Sequence, residues 1–108
     1  MFDESINFAG IKVDNVSLTE ALVRAQAFIR SGSSHLIVTP NPELIVAAQK
    51  DAELKALLNT ADLKIPDGIS MVVVSRILGK PLKERVAGID FMLKLVELSA
   101  KEGYRIFL

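Results

Sequence analysis

Three polar side chains of this sequence follow short apolar runs and could therefore lie at one edge of a sheet. Thr39 and Asn41 come directly after the run Leu36–Val38, and Asp67 follows the run Leu63–Ile65. Ligands of α/β proteins bind in the crevice outside the carboxyl ends of the strands. We therefore expect these side chains to line a candidate site.

Asp67 stands directly before Gly68, where its carboxylate could project into that crevice and act as a general base. Aspartate side chains ordinarily have a pKa of about 3.9, so an aspartate is an efficient base near neutral pH only where burial raises that value. The structural alternative is that Asp67 caps a helix starting at Ile69 or forms an Asx turn, for which Pro-Asp-Gly is a common signature. The spacing alone favours the cap.

Thr39, Asn41 and Arg85 each have a functional and a structural interpretation. A hydroxyl and an amide at a strand end suit the hydroxyls or acetamido group of a sugar, but Thr39 could equally end the strand and Asn41 cap the next helix. Arg85 lies in a polar loop, where its guanidinium could bind a diphosphate through paired hydrogen bonds. The commoner alternative is a surface arginine that is solvated or paired with Glu84.

The remaining candidates favour structural roles. Asp90 suits a helix cap better than a catalytic acid, His35 opens an apolar run, and Met71 and Met92 fit a core. The chain has no cysteine and one histidine, which excludes thiolate metal sites and argues against histidine-based ones. P-loop and dinucleotide-binding glycine motifs, a His-Glu-x-x-His pair and a nucleophile elbow are also missing from the sequence.

The composition fits one domain over residues 1–108, because half of the residues are hydrophobic. Thirteen basic residues balance thirteen acidic ones, which argues against a nucleic-acid surface or a polybasic membrane patch. No apolar run approaches the ~20 residues that span a bilayer, and the acidic N-terminus does not resemble a signal peptide, so we expect a cytoplasmic protein. The apolar segment Tyr104–Leu108 ends the chain without a polar tail, and we expect a truncated chain.

Apolar periodicity and capping residues predict an α/β fold: a mainly parallel, Rossmann-like sheet flanked by helices, with a short N-terminal β element. Ser17 and Glu20 form a capping-box pattern, and Asn41 with Pro42 suits a helix start. The predicted β segments are 6–16, 35–38, 63–65 and 105–108. The predicted helices include 18–31 and one long or two short helices within 42–61 meeting near Asp51. Residues 69–78 are ambiguous, because Met71–Val74 have strand propensity, but the length of the segment and Gly79 as its C-cap favour a mostly buried helix. The last predicted helix starts at Asp90 and stops at Gly103, and its inward-facing residues are Phe91, Met92, Leu95, Val96 and Leu98.

Three motifs in this order carry a family resemblance. They are Thr39-Pro-Asn-Pro-Glu43, Ile65-Pro-Asp-Gly68 and Glu84-Arg-Val-Ala-Gly-Ile-Asp90. From about Phe8 to its last residue the chain resembles the WecG/TagA/CpsF family of bacterial glycosyltransferases. Family members have roughly as much chain again, so the resemblance implies the N-terminal half of a catalytic domain that is inactive as a fragment. If Arg105–Leu108 is an interior strand, the fragment leaves one sheet edge uncovered, and we expect it to self-associate or to pack loosely.

The resemblance implies an inverting transfer of an N-acetylmannosamine-type sugar from a UDP donor to a polyprenyl-diphosphate-linked N-acetylglucosamine, for teichoic acid, common antigen or capsule. Asp67 would be the base, Thr39 and Asn41 would line the sugar pocket, and Arg85 would approach the acceptor or the phosphates. No metal, cofactor or nucleic acid is implied, and the missing C-terminal part would dock at the inner face of the membrane. The alternative is a non-catalytic α/β module that binds a nucleotide or a protein.

Overall fold

A computed structural model describes residues 5–106, and this part of the chain folds as an α/β protein with two small sheets. One sheet is an antiparallel pair of strands and the other a parallel pair, and five helices surround them. The strands are β1 (Ser5–Phe8), β2 (Ile11–Asp14), β3 (Ile37–Val38) and β4 (Leu63–Lys64), and the helices are α1 (Leu18–Ser31), α2 (Pro42–Gln49), α3 (Ala52–Thr60), α4 (Ile69–Ile77) and α5 (Gly88–Glu102).

The predicted N-terminal β element is a hairpin of β1 and β2. Ile6 pairs with Val13 and Phe8 with Ile11, and all four side chains are buried on one face. Alternation of apolar and polar residues predicts this one-sided burial. The turn between the strands uses Gly10 at a φ of 91°, a conformation that favours glycine.

The parallel pair lies between two groups of helices. Ile37 packs with α1 and α5, whereas its neighbour Val38 packs with the hairpin and with α2, α3 and α4. Successive residues of a strand point to opposite faces, so the two residues of β3 contribute to two separate cores. This layering is the α/β arrangement that the sequence predicts.

Polar side chains set the helix starts largely where the sequence places them. Ser17 and Glu20 form the predicted capping box of α1, and Asn41 accepts the amide of Leu44 at the start of α2. Asp51 caps α3, so the segment after Pro42 consists of two helices. Each cap satisfies amides that the first helical turn leaves unpaired.

Several predictions about the C-terminal half are wrong. Asp90 does not cap α5, which begins at Gly88 after Ala87 and has Asp90 only in its first turn. Met92 and Val96 are largely exposed although helical spacing assigned them to the core, whereas Met71 is buried as predicted. The α4 helix is buried on one side only, since Ile69, Val73 and Ile77 are exposed.

The predicted strands are shorter in the structure. The strand predicted from His35 begins at Ile37, and Arg105 and Ile106 are not in a strand. The rest of the predicted last strand, Phe107 and Leu108, lies outside the described residues. Within residues 5–106, no helix combines the length and the apolar character needed to cross a membrane.

Candidate functional site

The ends of β3 and β4 remain hydrogen-bonded beyond the strands and bring two of the predicted site residues together. The amide of Ile65 donates to the Val38 carbonyl, and the amide of Asp67 donates to the Pro40 carbonyl, both at 2.9 Å. Asp67 also forms a parallel bridge with Val86 on its other side. Asp67 therefore stands in the middle of three adjacent chain segments, at the carboxyl end of the sheet.

The Asp67 carboxylate caps a helix, but not the one expected from the sequence. Its Oδ1 accepts a 2.8 Å hydrogen bond from the backbone amide of Gly88, the first residue of α5. Ala87, the N-cap residue of α5, makes no side-chain capping bond. The α4 helix starts instead after Gly68, which has a φ of 90° and no side chain to cap with. The predicted cap on the Ile69 helix is therefore wrong, and Asp67 reaches α5 across 21 residues of sequence.

Thr39 and Asp67 face one common space beside Gly88. A Cβ atom built on Gly88 would lie 3.4 Å from Thr39 Cγ2 and 3.5 Å from each carboxylate oxygen of Asp67. All three residues are half-buried. The arrangement brings a carboxylate and the methyl group of Thr39 around a point where a methyl-sized group would fit.

Asn41 has the structural role that its position allows, and it also lines a cavity. Its Oδ1 accepts the amide of Leu44 at 2.9 Å. The Asn41 side chain also lines an open cavity of about 530 Å³ next to α2, together with Thr39 and Glu43. The polar side chains among the lining residues could hydrogen-bond sugar hydroxyls.

Arg85 lies in the exposed loop between α4 and α5. Glu84 does not pair with it, because Glu84 Oε2 accepts the amide of Leu18 at 2.7 Å. Among residues 5–106, Arg85 has no ion-pair or hydrogen-bond partner, which agrees with the solvated alternative. Val86, the next residue, is buried and forms the bridge with Asp67, so Arg85 lies next to the site in the chain. The structure shows no contact of Arg85 with Thr39 or Asn41 among the described residues.

Two residues of the site could not be singled out by their local sequence. Gly88 contacts Asp67 only because the chain folds back after 21 residues, although it stands within the third motif. Glu43 lines the cavity beside Thr39 and stands within the first motif. Presence in these motifs is the only signal that could have identified them.

The other candidate positions have no link to this site. His35 stacks on Phe28 with ring centroids 4.3 Å apart and contacts Ser31 and Asp62, which is a structural role. No group of three or more acidic or histidine side chains in residues 5–106 could hold a metal ion. A mainly apolar cavity of about 530 Å³ lies between α1 and the end of α5, and none of the four predicted site residues lines it.

Comparison with known proteins identifies one family and several relatives. Residues 6–108 match the model of the glycosyl transferase WecG/TagA/CpsF family. An N-acetylglucosaminyldiphosphoundecaprenol N-acetyl-beta-D-mannosaminyltransferase of Bacillus spizizenii is 36% identical over 80 residues, covering 74% of this chain and 31% of the relative. A Bacillus subtilis protein of the same name is 38% identical over 73 residues, which cover 68% of this chain and 28% of the relative.

A relative from Staphylococcus aureus with the same name aligns over more of the chain. It is 27% identical over 105 residues, which cover 95% of this chain and 41% of the relative. The chain thus spans between 28% and 41% of the length of these three relatives.

Proposed function

This chain belongs to the glycosyl transferase WecG/TagA/CpsF family, and we propose that it provides part of the catalytic unit of a sugar transferase. The names of the relatives describe transfer of N-acetylmannosamine to an N-acetylglucosaminyl diphosphoundecaprenol. For this protein we propose a UDP-linked N-acetylmannosamine-type donor and a polyprenyl-diphosphate-linked N-acetylglucosamine acceptor. Such an acceptor is anchored in a membrane, so the enzyme would work at the inner membrane face.

Asp67 is the proposed general base. Its carboxylate takes the proton of the acceptor hydroxyl as the hydroxyl oxygen forms a bond to the anomeric carbon of the donor sugar. The bond between that carbon and the diphosphate breaks, and UDP leaves with the bonding electron pair. Attack from the face opposite UDP inverts the configuration at the anomeric carbon.

Three further residues are proposed to bind the substrates. Thr39 and Asn41 bind the sugar through their polar atoms at the open cavity, and Arg85 binds a phosphate or the acceptor with its guanidinium. Because Arg85 is exposed and has no partner among residues 5–106, ligand binding would not need to break an existing ion pair.

One observation carries the proposal most directly. The carboxylate of Asp67 and the side chain of Thr39 lie within 3.5 Å of the same point beside Gly88. A single acceptor hydroxyl at this point would meet the proton acceptor Asp67 and would also contact the methyl group of Thr39.

Substitution Asp67→Asn in the intact protein, meaning the whole polypeptide that carries these residues, tests the base. Asparagine keeps an oxygen that can accept the Gly88 amide, so the fold should be retained, whereas proton removal is lost. General-base catalysis typically contributes ~100-fold to 10,000-fold, so we expect turnover with UDP-N-acetylmannosamine and a polyprenyl-diphosphate acceptor to fall by at least ~100-fold.

Two controls make this test specific. Thermal unfolding of Asp67→Asn should match the unsubstituted protein, and Glu102→Gln, an exposed carboxylate at the end of α5, should leave turnover unchanged. Near-normal turnover of a folded Asp67→Asn protein would reject the proposed base.

We further propose that residues 1–108 form the N-terminal part of the catalytic domain and are inactive alone. The relatives are between two and four times as long as the part that aligns, so more than half of each relative has no counterpart in residues 1–108. Purified residues 1–108 should therefore show no transfer under conditions in which the intact protein is active. Comparable specific activity of the two would contradict this division.

A further inference from the structure

We propose that Gly88 is a positioning residue for the transfer: its amide orients Asp67, and its missing side chain leaves room for the acceptor hydroxyl. This inference rests on the proposed function, because it assigns the space beside Gly88 to the acceptor of that reaction. It concerns a residue to which neither the motifs nor the family comparison attaches a role.

Gly88 determines the orientation of the Asp67 carboxylate. Its amide belongs to the first turn of α5, where backbone N–H groups have no partner within the helix. The 2.8 Å bond from this amide to Oδ1 fixes one oxygen of Asp67 against α5. Oδ2, the oxygen that does not accept this amide, is then the proposed acceptor of the substrate proton.

The backbone conformation at Gly88 does not require glycine. The chain has six glycines, and the other five all have positive φ angles between 76° and 91°. Gly88 is the exception: it lies in α5 with a backbone angle that any residue adopts. Glycine within a helix is less favourable than alanine. Local structure therefore argues for alanine at this position.

Steric fit to the rest of the protein does not require glycine either. An added Cβ would lie at 3.4 Å from Thr39 Cγ2 and 3.5 Å from the Asp67 oxygens, which are ordinary van der Waals distances. The folded protein could accept a methyl group there without moving its neighbours. The glycine thus keeps open a space that an alanine would fill.

That space has the size and the surroundings for one hydroxyl group. A hydroxyl is about as large as a methyl group, and a hydroxyl donor in this space would reach hydrogen-bond distance of Oδ2, about 2.5–3.0 Å, with a small shift toward the carboxylate. Thr39 borders the same space. A sugar hydroxyl held there would be in line for proton removal by Asp67.

Substitution Gly88→Ala in the intact protein tests the inference. It retains the backbone amide and fills the space, so kcat/KM for the polyprenyl-diphosphate acceptor should fall at least ~10-fold. Binding of UDP-N-acetylmannosamine, measured by calorimetric titration, should be unchanged, and the urea unfolding midpoint should be unchanged or higher. The matched control is Ile89→Ala, which alters the exposed next residue of the same helical turn and should leave kcat/KM unchanged.

The outcomes separate this inference from the proposed function. Wild-type kcat/KM for the acceptor in Gly88→Ala, together with an inactive Asp67→Asn, would overturn the inference while the base assignment stands. A parallel loss of unfolding midpoint, donor binding and acceptor kinetics in Gly88→Ala would show a purely structural role and also overturn it. Selective loss of the acceptor kinetics supports it.

Discussion

The carboxylate of Glu84 accepts a 2.7 Å hydrogen bond from the backbone amide of Leu18, which starts α1 66 residues earlier. Lys83 strengthens the same junction, because its amide donates to Asn15 Oδ1 at 2.8 Å and its Nζ lies 3.0 Å from Glu20 Oε1. The loop that carries Arg85 is therefore fastened to the start of α1. Glu84 does for α1 what Asp67 does for α5: each caps a helix that is distant in sequence.

Replacing Glu84 by alanine should lower the free energy of unfolding. The change leaves the Leu18 amide without its acceptor, and loss of a helix cap costs about 1 kcal/mol, with a range of ~0.5–2 kcal/mol. Glu84→Gln keeps an acceptor oxygen and should lose less. Urea unfolding of both proteins measures the difference, and equal stability of Glu84→Ala and the unsubstituted protein would show that this bond contributes nothing.

Replacing Arg85 should affect substrate binding but not stability. Its side chain is exposed and has no partner among residues 5–106, so Arg85→Ala should change the free energy of unfolding by less than about 0.5 kcal/mol. A hydrogen bond to a charged group contributes ~1.5–3 kcal/mol, so KM for the donor or acceptor should rise ~10-fold to ~100-fold. Arg85→Lys keeps the charge without the paired donors and should be intermediate. Steady-state kinetics that match the unsubstituted enzyme would remove Arg85 from the site.

The sequence predicts the fold correctly where a pattern involves only residues close together in the chain. The Ser17–Glu20 capping box, the Asn41 cap and the hairpin alternation all involve residues within a few positions of each other, and the structure confirms them. The prediction that Met92 and Val96 face inward on α5 is wrong, because helical spacing identifies an apolar stripe but not which other part of the protein covers it. Burial of such a stripe depends on tertiary partners.

The site was predictable only in part for the same reason. Apolar runs ending in Thr39 and Asp67 were sufficient to place both residues at the carboxyl end of a parallel sheet. The sequence could not show that Asp67 caps α5 rather than α4, since Pro-Asp-Gly is equally suited to a local turn. Gly88 was missed because its significance lies in a contact with a residue 21 positions away.

Residues 1–108 alone should self-associate through two exposed apolar stripes. One stripe on α4 contains Ile69, Val73 and Ile77, and the other on α5 contains Ile89, Met92, Leu93 and Val96. Exposed contiguous apolar surface favours association. Sedimentation of the purified fragment should show concentration-dependent oligomers, and Ile77→Lys should shift them toward monomer. The matched control is Val46→Lys, on α2 and outside both stripes, which should change nothing, and a sharply melting monomer would contradict the prediction.

The stabilisation that the capping box of α1 gives the protein should be lost at acidic pH. The backbone hydrogen bond from Ser17, followed by the side-chain bond from Lys83, lowers the pKa of Glu20 below its ordinary value of 4.5, although burial opposes this. The unfolded chain therefore binds a proton at Glu20 at a higher pH than the folded protein does. Stability from this group is fully present above pH 4.5 and is lost as the pH falls through the lower folded pKa.

Glu20→Gln should remove this part of the acid sensitivity. Glutamine keeps an oxygen for the Ser17 amide but does not titrate, so urea midpoints measured from pH 7 down to pH 3 should fall less steeply than in the unsubstituted protein. The stability of Glu20→Gln should still fall somewhat in acid, because a second carboxylate is also stabilised in its charged form. The backbone hydrogen bond from Leu36 lowers the pKa of Asp62 below 3.8, and His35 adds a smaller effect. Asp62→Asn in combination with Glu20→Gln should flatten the acid limb further. Parallel pH curves for Glu20→Gln and the unsubstituted protein would mean that the capping box forms equally well in the unfolded chain or not at all in the folded one.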